Sequence, residues 1–318
     1  MTLWQSLALN VLQLAFVVCL APLFSGIAAR WRERVQFKRG PSIWQPYRDL
    51  RKLFSKEDRS SESATWVARF APYAVCLSPI LVTLLIPVLT DFPLFGAFAG
   101  DMLAAGFILG IGGFFLTLAA VDTGIPYGAM GASRTRMVGF LAEPVLIVIL
   151  FAVSFVANST IPYIVQQQWV SPPAHFFSPA HVLVLVAFSM LIIAETGRLP
   201  VDNPAGHFEL AMIDESKVLD FSGPSYALLK WGGAMKTTVL CIIFVNVLLA
   251  PWGLASSPAP TQLGIAIAAV FVKVVALLAA LVVVETSLAK LRLFRIAEYL
   301  GAAFVVAVTA MIAAVLAP

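Results

Sequence analysis

Charged residues are scarce in this sequence, and cysteine and histidine are scarcer still. Asp, Glu, Lys and Arg make up 12% of the 318 residues, about half the share of an ordinary soluble domain, while hydrophobic residues make up 60%. The three cysteines, Cys19, Cys76 and Cys241, lie in apolar runs without CxxC spacing, which argues against disulfides, zinc and iron-sulfur ligation by this chain. A soluble fold would need a larger core than single domains build, so we interpret residues 1–318 as one membrane domain.

The apolar residues occur in runs long enough to cross about 30 Å of hydrocarbon. The first run has no A-x-A cleavage pattern and no basic residue ahead of it, so we predict that it is retained as a helix. The sixth run can begin earlier than its apolar core, near Tyr226. The sequence thus predicts an all-α, polytopic membrane bundle of about eight transmembrane helices, at residues 4–29, 70–90, 102–121, 138–157, 181–195, 237–251, 262–284 and 299–317.

The distribution of basic residues predicts the orientation of this bundle. Twenty of the twenty-one Lys and Arg lie in the segments 30–69, 122–137, 196–236 and 285–298, and none lies in the alternate loops. Because cytoplasmic loops carry an excess of Lys and Arg, we predict that these four segments face the cytoplasm and that both termini face outward. The outer segment 162–179, rich in Pro and aromatic residues, is predicted to form short caps at the membrane boundary.

Acidic residues are concentrated between Glu195 and Gly223, a segment between two runs that can each enter the membrane. The segment contains six carboxylates but only two cations, Arg198 and Lys217. Acidic side chains at a membrane boundary are costly unless they are solvated, paired or used, so they are candidates for a functional site. A solvated acidic loop is the alternative interpretation. The six acidic residues are Glu195, Asp202, Glu209, Asp214, Glu215 and Asp220.

The first predicted inner loop, residues 30–69, is strongly basic, with eleven Lys or Arg against five acids. Apolar and aromatic residues recur in it at helical spacing beside Arg48, Arg51 and Lys52, which predicts an amphipathic helix at the inner surface. On composition alone, an anchor on anionic lipid is the favoured interpretation of this helix. Its apolar positions are Ile43, Trp44, Tyr47, Leu50, Leu53 and Phe54.

Lys273 lies near the middle of the seventh predicted helix, where a charged side chain costs about 3 kcal/mol or more. We therefore expect it to face protein or water and to have an acidic partner. Glu143 in the fourth helix is the best-placed candidate, followed by Asp122 and Glu285 at the inner ends of the third and seventh helices. Such groups can form a static pair, or they can form a proton relay in which their affinities depend on one another.

The sequence contains no motif of an independent enzyme. It has no Ser/His/Asp arrangement, HExxH motif, P-loop or dinucleotide fingerprint, and a line of charged residues cannot perform redox chemistry by itself. Gly106 and Gly110 form a GxxxG pair that is followed by Gly112 and Gly113. Because neither a strand nor a polar helix flanks these glycines, they favour close helix packing over phosphate binding.

Several short motifs, spread over nearly the whole chain, together resemble one family. It comprises the membrane subunit at the junction between the two arms of respiratory complex I (subunit 1, or H) and the equivalent subunit of membrane-bound nickel-iron hydrogenases and formate hydrogenlyase. The motifs are Arg39-Gly40-Pro41 with Gln45-Pro46-Tyr47-Arg48-Asp49, Asp122-Thr123-Gly124 with Glu143-Pro144, Glu195-x-x-Arg198-x-Pro200-x-Asp202, and Asp220-Phe221-Ser222-Gly223.

The details resemble the hydrogenase branch of this family, in particular the subgroup of hydrogenase-4 component C and formate hydrogenlyase subunit 4. Complex I subunits typically carry further glutamates at the positions where this chain has Ala205 and His207, and a Phe where it has Val201. The segment from Glu285 to Arg292 is also similar to the hydrogenase branch. These departures count against quinone binding.

The resemblance implies a subunit without a redox centre of its own, in a bacterial or archaeal cytoplasmic membrane. It would dock hydrogenase-like large and small subunits that hold nickel-iron and iron-sulfur centres, and it would couple electron transfer to proton translocation through neighbouring antiporter-like subunits. The residues implied are an acidic funnel of Glu195, Asp202, Glu209, Glu215 and Asp220 with Arg198 as counter-charge; a proton relay of Glu143, Asp122, Lys273 and Glu285; and a docking face of Arg34, Arg39, Arg48, Arg51 and Lys52.

Two alternatives remain open at this point. The first keeps the fold and makes the chain the quinone-binding subunit of an NADH:quinone oxidoreductase. The second is a stand-alone ion transporter, which would need internal repeats and broken helices at mid-membrane, and no clear repeat relates the two halves of the sequence.

Overall fold

Ten α-helices make up most of the chain that the structure describes. The structure is a computed structural model and describes residues 3–59, 61, 63–94, 100–170, 178–202 and 213–316. Glu209 of the predicted acidic funnel lies outside these residues. The helices are α1 (Leu3–Val35), α2 (Gln45–Phe54), α3 (Trp66–Leu85), α4 (Met102–Asp122), α5 (Pro126–Ala157), α6 (Pro162–Val170), α7 (Pro179–Glu195), α8 (Gly223–Ile242), α9 (Pro260–Ser287) and α10 (Arg295–Leu316).

Eight of these helices account for the eight predicted spans. Seven described segments are long and apolar enough to cross a membrane, and α7, with 17 residues, is a shorter apolar helix. The sixth span consists of α8 and a π-helical continuation, Ile243–Leu249. The all-α, polytopic membrane fold is therefore confirmed.

The inner end of the fourth span differs from the prediction. Residues 122–137 are not a loop, because α5 begins at Pro126 and continues without a break through the polar stretch to Ala157. Proline is tolerated at the first helical position, where its missing N–H has no intrahelical partner. Hydropathy reports only the apolar part of a helix, so it misses an extension into the aqueous phase. By contrast, the earlier start allowed for the sixth span is confirmed, since α8 begins at Gly223.

The outer segment after α5 also differs from the prediction. Residues 162–170 form α6, whose Tyr163 and Trp169 are each 1% exposed and therefore do not cap the membrane boundary. The Tyr163 hydroxyl donates a hydrogen bond to the Ile86 carbonyl oxygen (3.0 Å) at the outer end of α3. Residues 171–177 lie outside the described part of the chain. The described aromatic residues here pack inside the bundle.

The predicted amphipathic helix in the basic loop is confirmed as α2. None of its residues is fully buried, which places it on the surface of the bundle. Two contacts hold it against the spans: the Tyr47 hydroxyl donates to the Cys19 carbonyl oxygen of α1, and the Phe54 ring meets the Trp231 ring of α8 edge-on at 6.2 Å. The segment just before α2 packs closely against α1 at Gly26, where a side-chain methyl group would overlap the Ile43 carbonyl oxygen.

We expect Gly26→Ala to loosen the packing of α2, because the added methyl group meets backbone rather than a flexible side chain. Overpacking of this kind costs about 1–3 kcal/mol, so the melting temperature of the purified protein should fall. Gly301→Ala in α10 is the matched control, since a methyl group there has no described heavy atom within 4 Å. Equal melting temperatures for the two variants would contradict the tight contact.

Candidate functional site

The acidic segment is neutralised by cations from other parts of the chain. In sequence it has only Arg198 and Lys217, but the fold adds Lys230 and Lys236 from α8 and Lys290 from the α9–α10 connection. Arg198 in turn shares the carboxylate of Glu285 in α9 with Arg32 of α1. Each described acid of the segment except Asp220 forms an ion pair. We call the group the charge cluster; it consists of Arg32, Glu195, Arg198, Asp202, Asp214, Glu215, Lys217, Lys230, Lys236, Glu285 and Lys290.

Asp202 lies at the centre of the charge cluster and is buried. Its Oδ2 accepts hydrogen bonds from the backbone amides of Ile213 (3.1 Å) and Asp214 (3.0 Å), and its Oδ1 accepts one from Lys290 Nζ (2.7 Å). The Leu291 amide also donates to the Pro200 carbonyl oxygen (2.9 Å). The connection after α9 is therefore fixed to the acidic segment by backbone and side chain together.

Glu285 is the most buried carboxylate of the cluster, with 2% of its side chain exposed. Arg32 Nη2 lies 3.0 Å from one carboxylate oxygen, and Arg198 Nη1 lies 3.6 Å from the other. Burial lowers the pKa of the Arg198 guanidinium from its usual value, and the Glu285 carboxylate opposes that shift. One buried carboxylate thus joins α1, α9 and the acidic segment.

The remaining pairs lie closer to the surface. Glu195 and Lys236 are 2.8 Å apart, and Glu215 and Lys230 are 2.9 Å apart. Burial alone would raise the pKa of Asp214, but Lys217 at 2.8 Å and, more weakly, Lys236 bring it below the ordinary value. This pairing therefore stabilises the fold above the ordinary aspartate pKa, and the stabilisation is lost as the pH falls through the lowered pKa.

Asp220 differs from the other described acids because it forms no ion pair within the described chain. It is half-buried, and the loss of solvent raises its pKa above the ordinary value. Among the described acids of the segment, its carboxylate is therefore the one that a partner or a proton can reach without displacing a cation.

A large cavity extends from the charge cluster into the bundle, with a volume of about 1000 Å³. At its inner end it is lined by Glu195, Asp202 and Lys236, together with residues of α1, α2 and α8. At its outer end it reaches Ile86, Pro162 and Val247. The cavity thus spans much of the predicted membrane depth.

Glycines keep one wall of this cavity open. Gly112 packs against the backbone of α3, and Gly106 against Leu146, as close helix packing predicts. Gly110, Gly113 and Gly139, by contrast, have no described heavy atom within 4 Å of the place that a side-chain methyl group would occupy, and all three line the cavity. Within the described chain, close packing is therefore found at Gly106 and Gly112 but not at Gly110 and Gly113.

Glu143 lies on this open wall, on α5, and its side chain is exposed to the cavity. It makes no hydrogen bond or ion pair with the residues that the structure describes. The cavity therefore connects the charge cluster with a carboxylate in the fourth span. The expected pairing of Glu143 with Lys273 does not form.

Lys273 has backbone partners instead of an acidic one. Its Nζ donates to the carbonyl oxygens of Ala250 (2.7 Å) and Trp252, where the chain leaves the π-helical segment. Asp122 also binds backbone: its carboxylate accepts from the amides of Thr65 (2.8 Å) and Ala68 (3.3 Å), which are free donors at the start of α3. The contacts of Asp122 are those of a helix cap, and relay roles for both residues stay predictions.

The predicted docking residues share one property. All five are exposed, and none forms an ion pair within the described chain. They lie at the inner end of α1, in the following connection and on α2. This face consists of Arg34, Arg39, Arg48, Arg51 and Lys52.

Within the described residues, no group of three or more His, Cys, Asp or Glu is arranged to hold a metal ion. The cations Arg32 and Lys290 are among the functional candidates that the sequence did not reveal. Each is separated from its acidic partner by more than 80 residues. The signal that could have found Lys290 is its position in the segment from Glu285 to Arg292, which carries the resemblance.

Comparisons with known proteins establish the family. The profile of the NADH dehydrogenase family matches residues 7–316. This chain belongs to that family. Within it, the chain is 31% identical to hydrogenase-4 component C of Escherichia coli over 283 residues, covering 87% of this chain and 86% of the relative. It is 32% identical to formate hydrogenlyase subunit 4 of Escherichia coli over 291 residues, covering 91% and 92%.

The fold of this family member agrees with a solved structure. A chain of the membrane-bound sulfane sulfur reductase, an archaeal respiratory membrane complex, superimposes with a TM-score of 0.84 at 21% identity, covering 97% of this chain and 99% of that chain. The resemblance to the complex I subunit 1 family and its hydrogenase branch is thereby confirmed. The chain is a multi-pass protein of a bacterial or archaeal cytoplasmic membrane.

We expect Glu285→Gln to destabilise the protein strongly, because it leaves Arg32 and Arg198 without their buried counter-charge. Breaking a buried pair in this way costs about 3–5 kcal/mol, so the purified protein should melt at a clearly lower temperature. Glu298→Gln, at an exposed position near the start of α10, is the control and should melt like the parent. A Glu285→Gln variant as stable as this control would show that the triad does not hold the segment.

Proposed function

We propose that this chain is the membrane-arm junction subunit of a hydrogenase-type complex. It docks the cytoplasmic redox module and couples electron transfer to proton translocation. The observation that carries the proposal is the cavity that connects the charge cluster at the inner side with Glu143 in the fourth span. The family membership and the two hydrogenase relatives support the kind of complex.

Docking uses the face formed by Arg34, Arg39, Arg48, Arg51 and Lys52. Exposed cations without partners in their own chain favour a surface of opposite charge and speed the encounter with it. When docking displaces this face, the contacts of α2 with α1 and α8 also displace these two helices, which line the cavity. The charge cluster lies at the same end of those helices.

Coupling relies on the mutual dependence of the paired charges. In a medium of low dielectric constant, protonation of one acid leaves its cation uncompensated and changes the proton affinity of the neighbours. A redox change in the docked module shifts the balance of charge at the acidic funnel. This shift changes the proton affinity of Glu143, which lines the same cavity. Glu285, Asp122 and Lys273 complete the proposed relay, and Glu209 completes the proposed funnel.

The chemistry of electron transfer belongs to the partners in this proposal. Hydrogenase-like large and small subunits hold the nickel-iron and iron-sulfur centres, and antiporter-like membrane subunits move protons beside this chain. The relatives are named as components of hydrogenase-4 and formate hydrogenlyase, which supports partners of this kind.

The test of coupling is Glu143→Gln in the intact complex. The amide keeps the shape of the side chain but cannot carry a proton. Electron transfer should therefore continue, while the number of protons moved per electron should fall at least several-fold. Both rates are measured in proteoliposomes, with Glu298→Gln as the control. Normal proton movement in Glu143→Gln would remove the relay.

The test of docking replaces Arg48, Arg51 and Lys52 by Ala together. The soluble subunits that co-purify with the tagged chain should fall about tenfold, while the chain itself stays in the membrane. Arg292→Ala with Arg295→Ala, two exposed cations near the start of α10, is the matched control. If the triple variant keeps its soluble subunits, α2 is a lipid anchor and the docking assignment fails.

The quinone-binding alternative is favoured by one observation. The lining of the cavity as a whole is largely apolar and includes Phe24, Leu53 and Trp231, and the cavity volume lies at the upper end of the range for small-molecule sites. Quinone-dependent turnover that an inhibitor of quinone sites abolishes would favour this alternative over the hydrogenase-type junction subunit.

A further inference from the structure

Buried polar side chains gather in the outer half of the bundle, away from the charge cluster. Gln166 of α6, His181 of α7 and Asn246 of the π-helical segment are each at most 2% exposed. They lie where the ends of helices leave backbone carbonyls without helical partners. Backbone that leaves a helix at membrane depth is tolerated only when protein or water satisfies its polar groups.

Gln166 and His181 form hydrogen bonds with the stretch from residue 246 to residue 252, and Asn246 belongs to that stretch. Gln166 Nε2 donates to the Pro251 carbonyl oxygen (2.7 Å), and His181 Nε2 lies 3.0 Å from the Leu248 carbonyl oxygen. Asn246 Nδ2 donates to the carbonyl oxygens of Pro87 (3.1 Å) and Val88 (2.9 Å). We call this arrangement the outer polar site.

The outer polar site contains polar atoms that no protein group satisfies. Asn246 Oδ1, Gln166 Oε1 and the indole Nε1 of Trp169 are all buried and have no hydrogen-bond partner in the described structure. Trp169 belongs to the same site, since the centroids of its ring and of the His181 ring lie 4.1 Å apart. Buried polar atoms without partners are rare in folded proteins, and an ordered water is a common explanation.

Reorienting the amides does not remove these unsatisfied atoms. A carbonyl oxygen only accepts hydrogen bonds, so each amide must point its NH₂ group at the carbonyls it contacts. Rotating Asn246 would place its oxygen against two carbonyl oxygens, and rotating Gln166 would place its oxygen against one. The unsatisfied oxygens are therefore a property of the fold.

The outer end of the cavity adjoins this site in the chain. Its outer end is lined by Ile86, Pro162 and Val247, which adjoin Pro87, Tyr163 and Asn246 in the chain. The residues of the outer polar site do not line the cavity themselves, but the cavity ends one residue along the chain from Asn246 and from Pro87, whose carbonyl oxygen Asn246 binds. Each ordered water needs two to four polar partners, and the amide oxygens, the indole N–H and the neighbouring carbonyls are the groups of this site that can act as partners.

We propose that the outer polar site binds ordered water beside the outer end of the cavity and that His181 is its proton-carrying side chain. The ring proton lies on Nε2, because the Leu248 carbonyl can only accept. A proton that arrives at Nδ1 converts the ring to an imidazolium, and its loss restores the neutral ring. Lys273, bound to the Ala250 and Trp252 carbonyl oxygens, is the second titratable group attached to this stretch.

The water-binding part of this inference stands independently, whereas the proton-carrying part rests on the proposed function. Cryo-electron microscopy of the intact complex, at a resolution that shows water, tests the first part. We expect water density within hydrogen-bond distance of Asn246 Oδ1 and Gln166 Oε1. The density at the indole nitrogen should be lost in Trp169→Phe, which keeps an aromatic ring. Trp4→Phe, at a side chain that is 80% exposed, is the control for this variant. Density at none of the three atoms would overturn the site.

The second part is tested by His181→Gln, which retains a donor for the Leu248 carbonyl oxygen but cannot carry a proton. We expect the number of protons moved per electron to fall at least twofold, with electron transfer within twofold of the parent. A normal ratio in His181→Gln, alongside an uncoupled Glu143→Gln, would reject the outer proton carrier and leave the proposed function intact. A normal ratio in Glu143→Gln would reject the proposed function, whatever density the site shows.

Discussion

The pairing of acids with cations from distant parts of the chain is the constraint on which the rest of the structure depends. An acidic segment at a membrane boundary is stable only when its charges are compensated. Here Glu285 and Lys290 bring the end of α9 to Arg198 and Asp202, and α8 brings Lys236 to Glu195. The same pairs fix the helices that surround the cavity, so charge compensation and the shape of the cavity have one cause.

The two ends of the cavity satisfy buried polarity in different ways. At the inner end, full charges compensate each other in pairs, and each pair can respond to a change in its neighbour. Beside the outer end, the neutral side chains Gln166 and Asn246 satisfy carbonyls where helices are interrupted. Between them, Gly110, Gly113 and Gly139 leave the wall open. The bundle therefore combines hydrogen-bonded and ion-paired ends with an open interior wall.

The sequence was sufficient to predict the eight spans and the amphipathic helix, because both depend on local periodicity. The family could be recognised from motifs that lie close together in the chain. The pairing of Glu285 with Arg32 could not be predicted from the sequence, because more than 250 residues separate them. The expected acidic partner of Lys273 was wrong for a related reason: a buried ammonium group can be satisfied by carbonyl oxygens at a helix end, which hydropathy does not reveal. Likewise, a GxxxG pair does not indicate which glycine faces a neighbour and which faces a cavity.

The central claim is that a redox change at the inner surface alters the protonation of a carboxylate inside the membrane. Redox-induced infrared difference spectroscopy on the intact complex measures this most directly, because a protonated carboxyl group has its own C=O stretching band. The account predicts a band that shifts in D₂O and disappears when Glu143 is replaced by Gln. Identical difference spectra for the parent and this variant would contradict it.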